Sequence, residues 1–178
     1  MNIPNILTIL RILSIPLFIL LYLLPYENSH IHAGAVFIVS SLTDFFDGYL
    51  ARATAQTTEF GKFLDPVADK LMVMAALLLI ISSNSQTILL IPAIVMIGRE
   101  ITVSSLREWM AEIGLRHKVN VLYISKIKTT MQCIAISGLL IFKNVINQNF
   151  TIYCILLIIL YIALGLTIWS MIVYLKAA

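Results

Sequence analysis

Long apolar stretches alternate with short polar ones along the whole chain. Six of them run from Ile6 to Leu24, His32 to Arg52, Gly61 to Ser82, Thr87 to Met110, Val119 to Phe142 and Phe150 to Leu175. Each is close to the ~20 residues an α-helix needs to cross a ~30 Å hydrocarbon core. The breaks between them are short and rich in turn formers, as in Pro25-Tyr26-Glu27-Asn28-Ser29 and Ser82-Ser83-Asn84-Ser85. Helices are the only open-ended spanning structures that satisfy their own backbone hydrogen bonds in lipid. The pattern therefore predicts an all-α integral membrane protein with six transmembrane helices, forming a single domain over residues 1–178. Asn5 is placed to cap the first helix. The first segment reads as a span rather than a cleavable signal peptide, because Arg11 interrupts the apolar run and no small-residue cleavage site follows.

Composition supports the membrane reading. Of the 178 residues, 60% are hydrophobic and 12% charged, and the mean hydropathy is +0.97. A soluble domain is about half apolar and a quarter charged, so this chain has too little polar surface to be one. Cys133 and Cys154 both fall in apolar stretches with no partner at ligand spacing, and read as small core residues. The net charge of +3 is modest, and no nucleic-acid partner is expected. Its placement is more informative. With the N-terminus in the cytoplasm, only Lys143 of the twelve Lys and Arg residues falls on the far side. That is the positive-inside pattern of a multi-pass protein. Several of these cations sit a turn or two inside their helix, as the lining of a cytoplasm-facing pocket would.

Every aspartate lies between positions 44 and 69. Asp44 and Asp47 are spaced i, i+3 and share a face of the second helix, while Asp65 and Asp69 are spaced i, i+4 and share a face of the third. A short link makes these helices antiparallel neighbours, so the four carboxylates can converge just inside the cytoplasmic boundary. An ionised Asp near mid-span costs ~2.5–3.5 kcal/mol, so four would cost roughly 10–14 kcal/mol. Mutual repulsion adds to that by resisting joint ionisation. Structural ion pairs with Arg52, Lys62 and Lys70 would offset only part of it. Two divalent cations would offset it directly, and hard oxygen ligands suit Mg²⁺ or Mn²⁺ better than zinc. Gly48, Ala51 and Gly61 are small where a ligand or a second backbone would approach, and Arg52 suits a bidentate phosphate contact.

The string Asp44-x2-Asp47-Gly48-x2-Ala51-Arg52-x8-Gly61-x3-Asp65-x3-Asp69 resembles the signature of the CDP-alcohol phosphatidyltransferase family, matching it at all fixed positions. The likeness extends along the chain. Asn2-Ile3-Pro4-Asn5-Ile6-Leu7-Thr8 with Arg11, Arg99-Glu100-Ile101, Ser105-Leu106-Arg107-Glu108-Trp109 and Lys126-Ile127-Lys128-Thr129 are similar to the branch that uses glycerol 3-phosphate. Ser125 departs from the glycine expected before Lys126.

The resemblance implies a six-helix homodimer in the bacterial cytoplasmic membrane, with a cavity open to lipid and facing the cytoplasm. It also implies transfer of the phosphatidyl group from CDP-diacylglycerol to glycerol 3-phosphate, giving phosphatidylglycerophosphate and CMP. In that scheme Asp44, Asp47, Asp65 and Asp69 hold two divalent cations, and Asp69 is also the general base. Asp44, Gly48, Ala51, Arg52 and Gly61 bind the CDP part. Thr8, Arg11, Arg99, Arg107 and Lys126 would bind the acceptor phosphate. Arg99 and Arg107 are eight residues apart and drift only ~80° around a helix, so they can face one cavity. Lys126 and Lys128 lie ~200° apart, so at most one of them is expected to point inward. Each cation could instead snorkel to lipid headgroups. Two other functions stay open: a sister transferase acting on inositol phosphate or serine, and a metal transporter with intramembrane carboxylates.

Overall fold

The computed structural model describes residues 3–54, 59–83, 87–114, 123–146 and 149–177, with side chains at 9–43, 64, 67–83, 87–114, 127–144 and 149–176. Six long helices account for nearly all of them: α1 (Ile3–Leu23), α2 (Ser29–Thr54), α3 (Glu59–Ser83), α4 (Thr87–Glu112), α5 (Tyr123–Ile141) and α7 (Phe150–Ala177). There is no strand among the described residues. The all-α expectation holds. One element is additional, a single helical turn α6 (Lys143–Ile146) that packs between α5 and α7. Asn5 is a correction. Helix α1 already begins at Ile3, so Asn5 lies in its first turn and is not its N-cap. Pro4 explains the earlier start, since its fixed φ and missing N–H are tolerated in a first helical turn.

Among the described residues, α4 and α7 are long and apolar enough to cross a membrane. Pro16 in α1 and Pro92 in α4 lie within helices, as proline often does where lipid and neighbouring helices surround the chain. The outer surface is aliphatic. Leu10, Leu13, Leu17 and Leu20 form an exposed stripe along α1, and Leu78, Ile94, Ile158 and Trp169 are exposed on other helices. Apolar surface on this scale marks contact with lipid or protein rather than water.

Helix α1 lies against α2 and α3, α5 lies against α7 and α2, and α4 packs on α7. Helices α2 and α3 touch only lightly, and α1 bridges them. The core between the helices is built from residues such as Phe18, Phe37, Ala76, Met96, Leu140 and Leu160. At the end where α1, α3 and α5 finish, Tyr22 Oη and Ser83 Oγ are 2.7 Å apart, and Lys143 Nζ lies 4.8 Å from the centre of the Tyr22 ring.

Two close approaches tighten that end. A Cβ on Gly34 would sit 2.5 Å from Ile141 Cγ1, and one on Gly138 would sit 2.4 Å from Leu156 Cδ2. Neither glycine is required for its backbone angles; Gly34 is tight for space against the β-branched Ile141, while at Gly138 the end of the Leu156 side chain would have to move. Gly34→Ala is therefore expected to lower stability by about 1–3 kcal/mol, the usual cost of overpacking. A reduced thermal midpoint in detergent would show it, and an unchanged midpoint would mean that α2 and α5 can separate freely.

Candidate active site

Polar side chains gather between the C-terminal halves of α4 and α7 and the first turns of α5. The centre of the group is Glu100 on α4. Its Oε1 accepts a hydrogen bond from Arg99 Nη1 at 3.0 Å and pairs with Lys128 Nζ from α5. Arg99 and Lys128 are 7% and 2% exposed, so both cations are inside the bundle. Helix α5 is turned so that Lys128 and Gln132, one turn apart, share its buried face.

Helix α7 supplies the other wall. Thr167, Ser170 and Tyr174 are spaced i, i+3, i+7 and are all buried. Ser170 Oγ donates to the Thr167 carbonyl at 2.9 Å, which leaves its oxygen lone pairs to accept from Arg99 Nη2, also at 2.9 Å. Arg107 Nη2 donates to Tyr174 Oη at 2.5 Å. The Arg107 and Arg99 guanidinium carbons lie 4.8 Å and 6.0 Å from the centre of the Tyr174 ring. The two arginines thus converge on one residue of α7, as their eight-residue spacing predicts.

These heads are bonded inside the protein, which is not how a side chain snorkelling to lipid behaves. Their satisfaction is incomplete. Among the described residues, the Nε atoms of Arg99 and Arg107 are buried without a hydrogen-bond partner. An orphaned buried donor costs about 1–3 kcal/mol. Charge is also unbalanced among the described side chains, since Arg99 and Lys128 share the Glu100 carboxylate and Arg107 is bonded to the neutral Tyr174 hydroxyl, although Lys128 also feels the charge of Asp69. A buried site with surplus cations and unfilled donors suits an anion with several oxygens. Arg11, on α1, is likewise buried, at 4% exposure.

Asp69 is half-buried on α3 and lines a cavity of about 690 Å³ between α2, α3, α5 and α7. The backbone carries Asp44, Asp47, Gly48, Ala51 and Arg52 on α2, and Gly61 and Asp65 on α3. The side chains of those seven residues, and of Thr8 and Lys126, lie outside the described residues. Among the described residues no three His, Cys, Asp or Glu side chains converge to hold a metal ion. The chemistry of the full donor set, four carboxylates on two adjoining helices, fits hard divalent cations. Cys133 and Cys154 are half-buried on α5 and α7 and are not joined in a disulfide.

Four residues of this network were not singled out from the sequence for a site role: Glu100, Lys128, Ser170 and Tyr174. The structure buries Lys128, whereas the family resemblance had pointed to Lys126 of that pair. A signal for Glu100 was available, because it is a lone acid beside an arginine deep in an apolar stretch.

A model of the CDP-alcohol phosphatidyltransferase family matches residues 1–171. The chain is 51% identical to the CDP-diacylglycerol–glycerol-3-phosphate 3-phosphatidyltransferase of Haemophilus influenzae, over 99% of this chain and 93% of that one. It is 51% identical to the Pseudomonas fluorescens protein of the same name, over 100% and 90% of the two chains. The Escherichia coli protein of that name is 45% identical, over 99% and 94%. With a family match spanning almost the whole sequence and relatives this similar at full length, the chain belongs to the CDP-alcohol phosphatidyltransferase family.

Proposed function

We propose that this chain transfers the phosphatidyl group from CDP-diacylglycerol to glycerol 3-phosphate, giving phosphatidylglycerophosphate and CMP. It works as a six-span, single-domain enzyme of the bacterial cytoplasmic membrane, with its site open to the cytoplasm and a homodimer as its assembly. The relatives' names supply the reaction. The observation that carries the acceptor assignment is the buried Arg99–Arg107–Lys128 group, with two guanidinium Nε donors unfilled among the described residues and Glu100 paired to Arg99 and Lys128. A phosphate monoester brings a charge of about −1.5 to −2 and three strong acceptor oxygens. Serine has no such group to offer.

In this scheme Arg99, Arg107 and Arg11 bind the acceptor phosphate, with Thr8 and Lys126 completing the pocket. They hold the glycerol hydroxyl toward the liponucleotide. Asp44, Gly48, Ala51, Arg52 and Gly61 seat its CDP part. The hydroxyl oxygen attacks the phosphorus that carries diacylglycerol, and its proton passes to Asp69. The bond from that phosphorus to the cytidylate oxygen breaks, and CMP leaves with the electron pair. Mg²⁺ or Mn²⁺ ions held by Asp44, Asp47, Asp65 and Asp69 would neutralise the diphosphate and the departing charge.

An acceptor panel tests the reading. CMP release from CDP-diacylglycerol should require glycerol 3-phosphate and should not occur with serine or inositol phosphate; release with either of those instead would make this a sister transferase. Arg107→Ala should raise the KM for glycerol 3-phosphate about 10–100-fold and leave the liponucleotide KM nearly unchanged. That range follows from ~1.5–3 kcal/mol for a hydrogen bond to a charged group and 1.4 kcal/mol per tenfold. An equal rise in both constants would give Arg107 a structural role.

A further inference from the structure

A serine or threonine buried in an apolar helix has an ordinary use, which is to donate its hydroxyl back to a carbonyl one turn earlier. Helix α7 shows that use twice. Thr167 Oγ1 donates to the Ala163 carbonyl at 2.6 Å, and Ser170 Oγ donates to the Thr167 carbonyl at 2.9 Å. Ser170 differs in what its back bond leaves over. With its one hydrogen committed to the backbone, the oxygen can only accept. Arg99 Nη2, reaching across from α4, donates to it at 2.9 Å. Ser170 and Thr167 are both 0% exposed, so the bond is sealed from bulk water.

Arg99 is thereby held from two helices. Its Nη1 donates to Glu100, the next residue of α4, and its Nη2 to Ser170 of α7. A guanidinium is planar and rigid, so two such bonds fix its plane and with it the direction of the Nε–H. That third nitrogen is buried and unfilled among the described residues. Arg107 repeats the pattern, with Nη2 bonded to Tyr174 of α7 and Nε buried and unfilled among the described residues. An arginine free to turn loses its side-chain freedom when it meets an anion. One already pinned has lost that freedom beforehand and binds more tightly for it.

We infer that Ser170 is a positioning residue for the acceptor, aiming Arg99 at the phosphate of glycerol 3-phosphate without binding that phosphate itself. Its only donor hydrogen is spent on Thr167, so it has none to offer a phosphate oxygen. The assignment rests on the acceptor reading of Arg99 and extends it to a hydroxyl on α7.

The test uses full-length protein in detergent and follows CMP release from CDP-diacylglycerol as glycerol 3-phosphate is varied. Ser170→Ala should raise the KM for glycerol 3-phosphate roughly 3–10-fold, the cost of fixing one long side chain on binding. The kcat and the liponucleotide KM should stay within about twofold of wild type. Ser170→Cys, close in size but a weaker acceptor, should give a smaller rise in the same constant, and it carries the test should Ser170→Ala not fold. Arg99→Met leaves Glu100 and Lys128 as a balanced pair. In that background Ser170→Ala should add less than about twofold, because nothing remains for Ser170 to position. The split between the two KM values carries the test should Arg99→Met not fold. An unchanged acceptor KM in Ser170→Ala, an equal rise in both KM values, or an undiminished effect in the Arg99→Met background would each overturn the assignment. CMP release by wild type without glycerol 3-phosphate would instead remove the acceptor reading, and the assignment with it.

Discussion

Replacing Asp69 with asparagine is expected to cut CMP release by roughly 10²–10⁴-fold, the range for loss of a positioned general base. Asparagine has the shape of aspartate and keeps one carbonyl oxygen, but it cannot accept the proton of the attacking hydroxyl. Asp69 lies on the wall of the cavity and within electrostatic reach of Lys128, so its carboxylate faces the space where substrates would meet. Binding of CDP-diacylglycerol should survive, because the proposed scheme gives the nucleotide part to Asp44 and the Gly48–Arg52 segment. Single-turnover CMP release and equilibrium liponucleotide binding, measured together, separate the two effects. Wild-type turnover in the variant would remove Asp69 as the base.

Glu100→Gln is expected to damage both stability and acceptor binding. The substitution removes the carboxylate shared by Arg99 and Lys128, two cations buried to 7% and 2% exposure. Removing one partner of a buried ion pair costs about 3–5 kcal/mol, because the remaining charge is left uncompensated. Glu100 itself keeps 22% exposure, which moves the expected loss toward the lower end of that range. Even so, a few kcal/mol is a large share of a typical folding free energy of about 5–15 kcal/mol. Thermal unfolding in detergent should begin well below the wild-type midpoint. The KM for glycerol 3-phosphate should rise as Arg99 and Lys128 lose their common anchor, and Glu100→Asp should recover part of both losses. An unchanged midpoint with an unchanged KM would mean that water or lipid headgroups, rather than Glu100, balance these cations.

Much of the fold was legible in the apolar and polar alternation, because a bilayer imposes one helix length on every span. The six long helices fall where the apolar stretches do. The start of α1 was misread because Asn5 has a capping side chain, while Pro4 favours a first turn that begins earlier. The turn α6 lay in a polar connection, where periodicity carries no information over four residues. Within the site, spacing foretold that Arg99 and Arg107 would face together, since that depends only on relative angle. It could not choose between Lys126 and Lys128, because the absolute rotation of α5 is set by its packing on α7 and α2. Ser170 and Tyr174 were harder still. Helix α7 is apolar nearly all round, so no face of it announces itself as inward, and isolated hydroxyls in such a helix resemble ordinary packing residues. The aspartate motif was the clearest signal, because acids are costly in lipid and stand out there.

The measurement that bears most directly on function is CMP release from CDP-diacylglycerol with glycerol 3-phosphate, run with chelator and then with Mg²⁺ or Mn²⁺ restored. Phosphatidyl transfer at a metal site built from Asp44, Asp47, Asp65 and Asp69 predicts loss of release in chelator and recovery on adding either cation. Full release of CMP in chelator would contradict it.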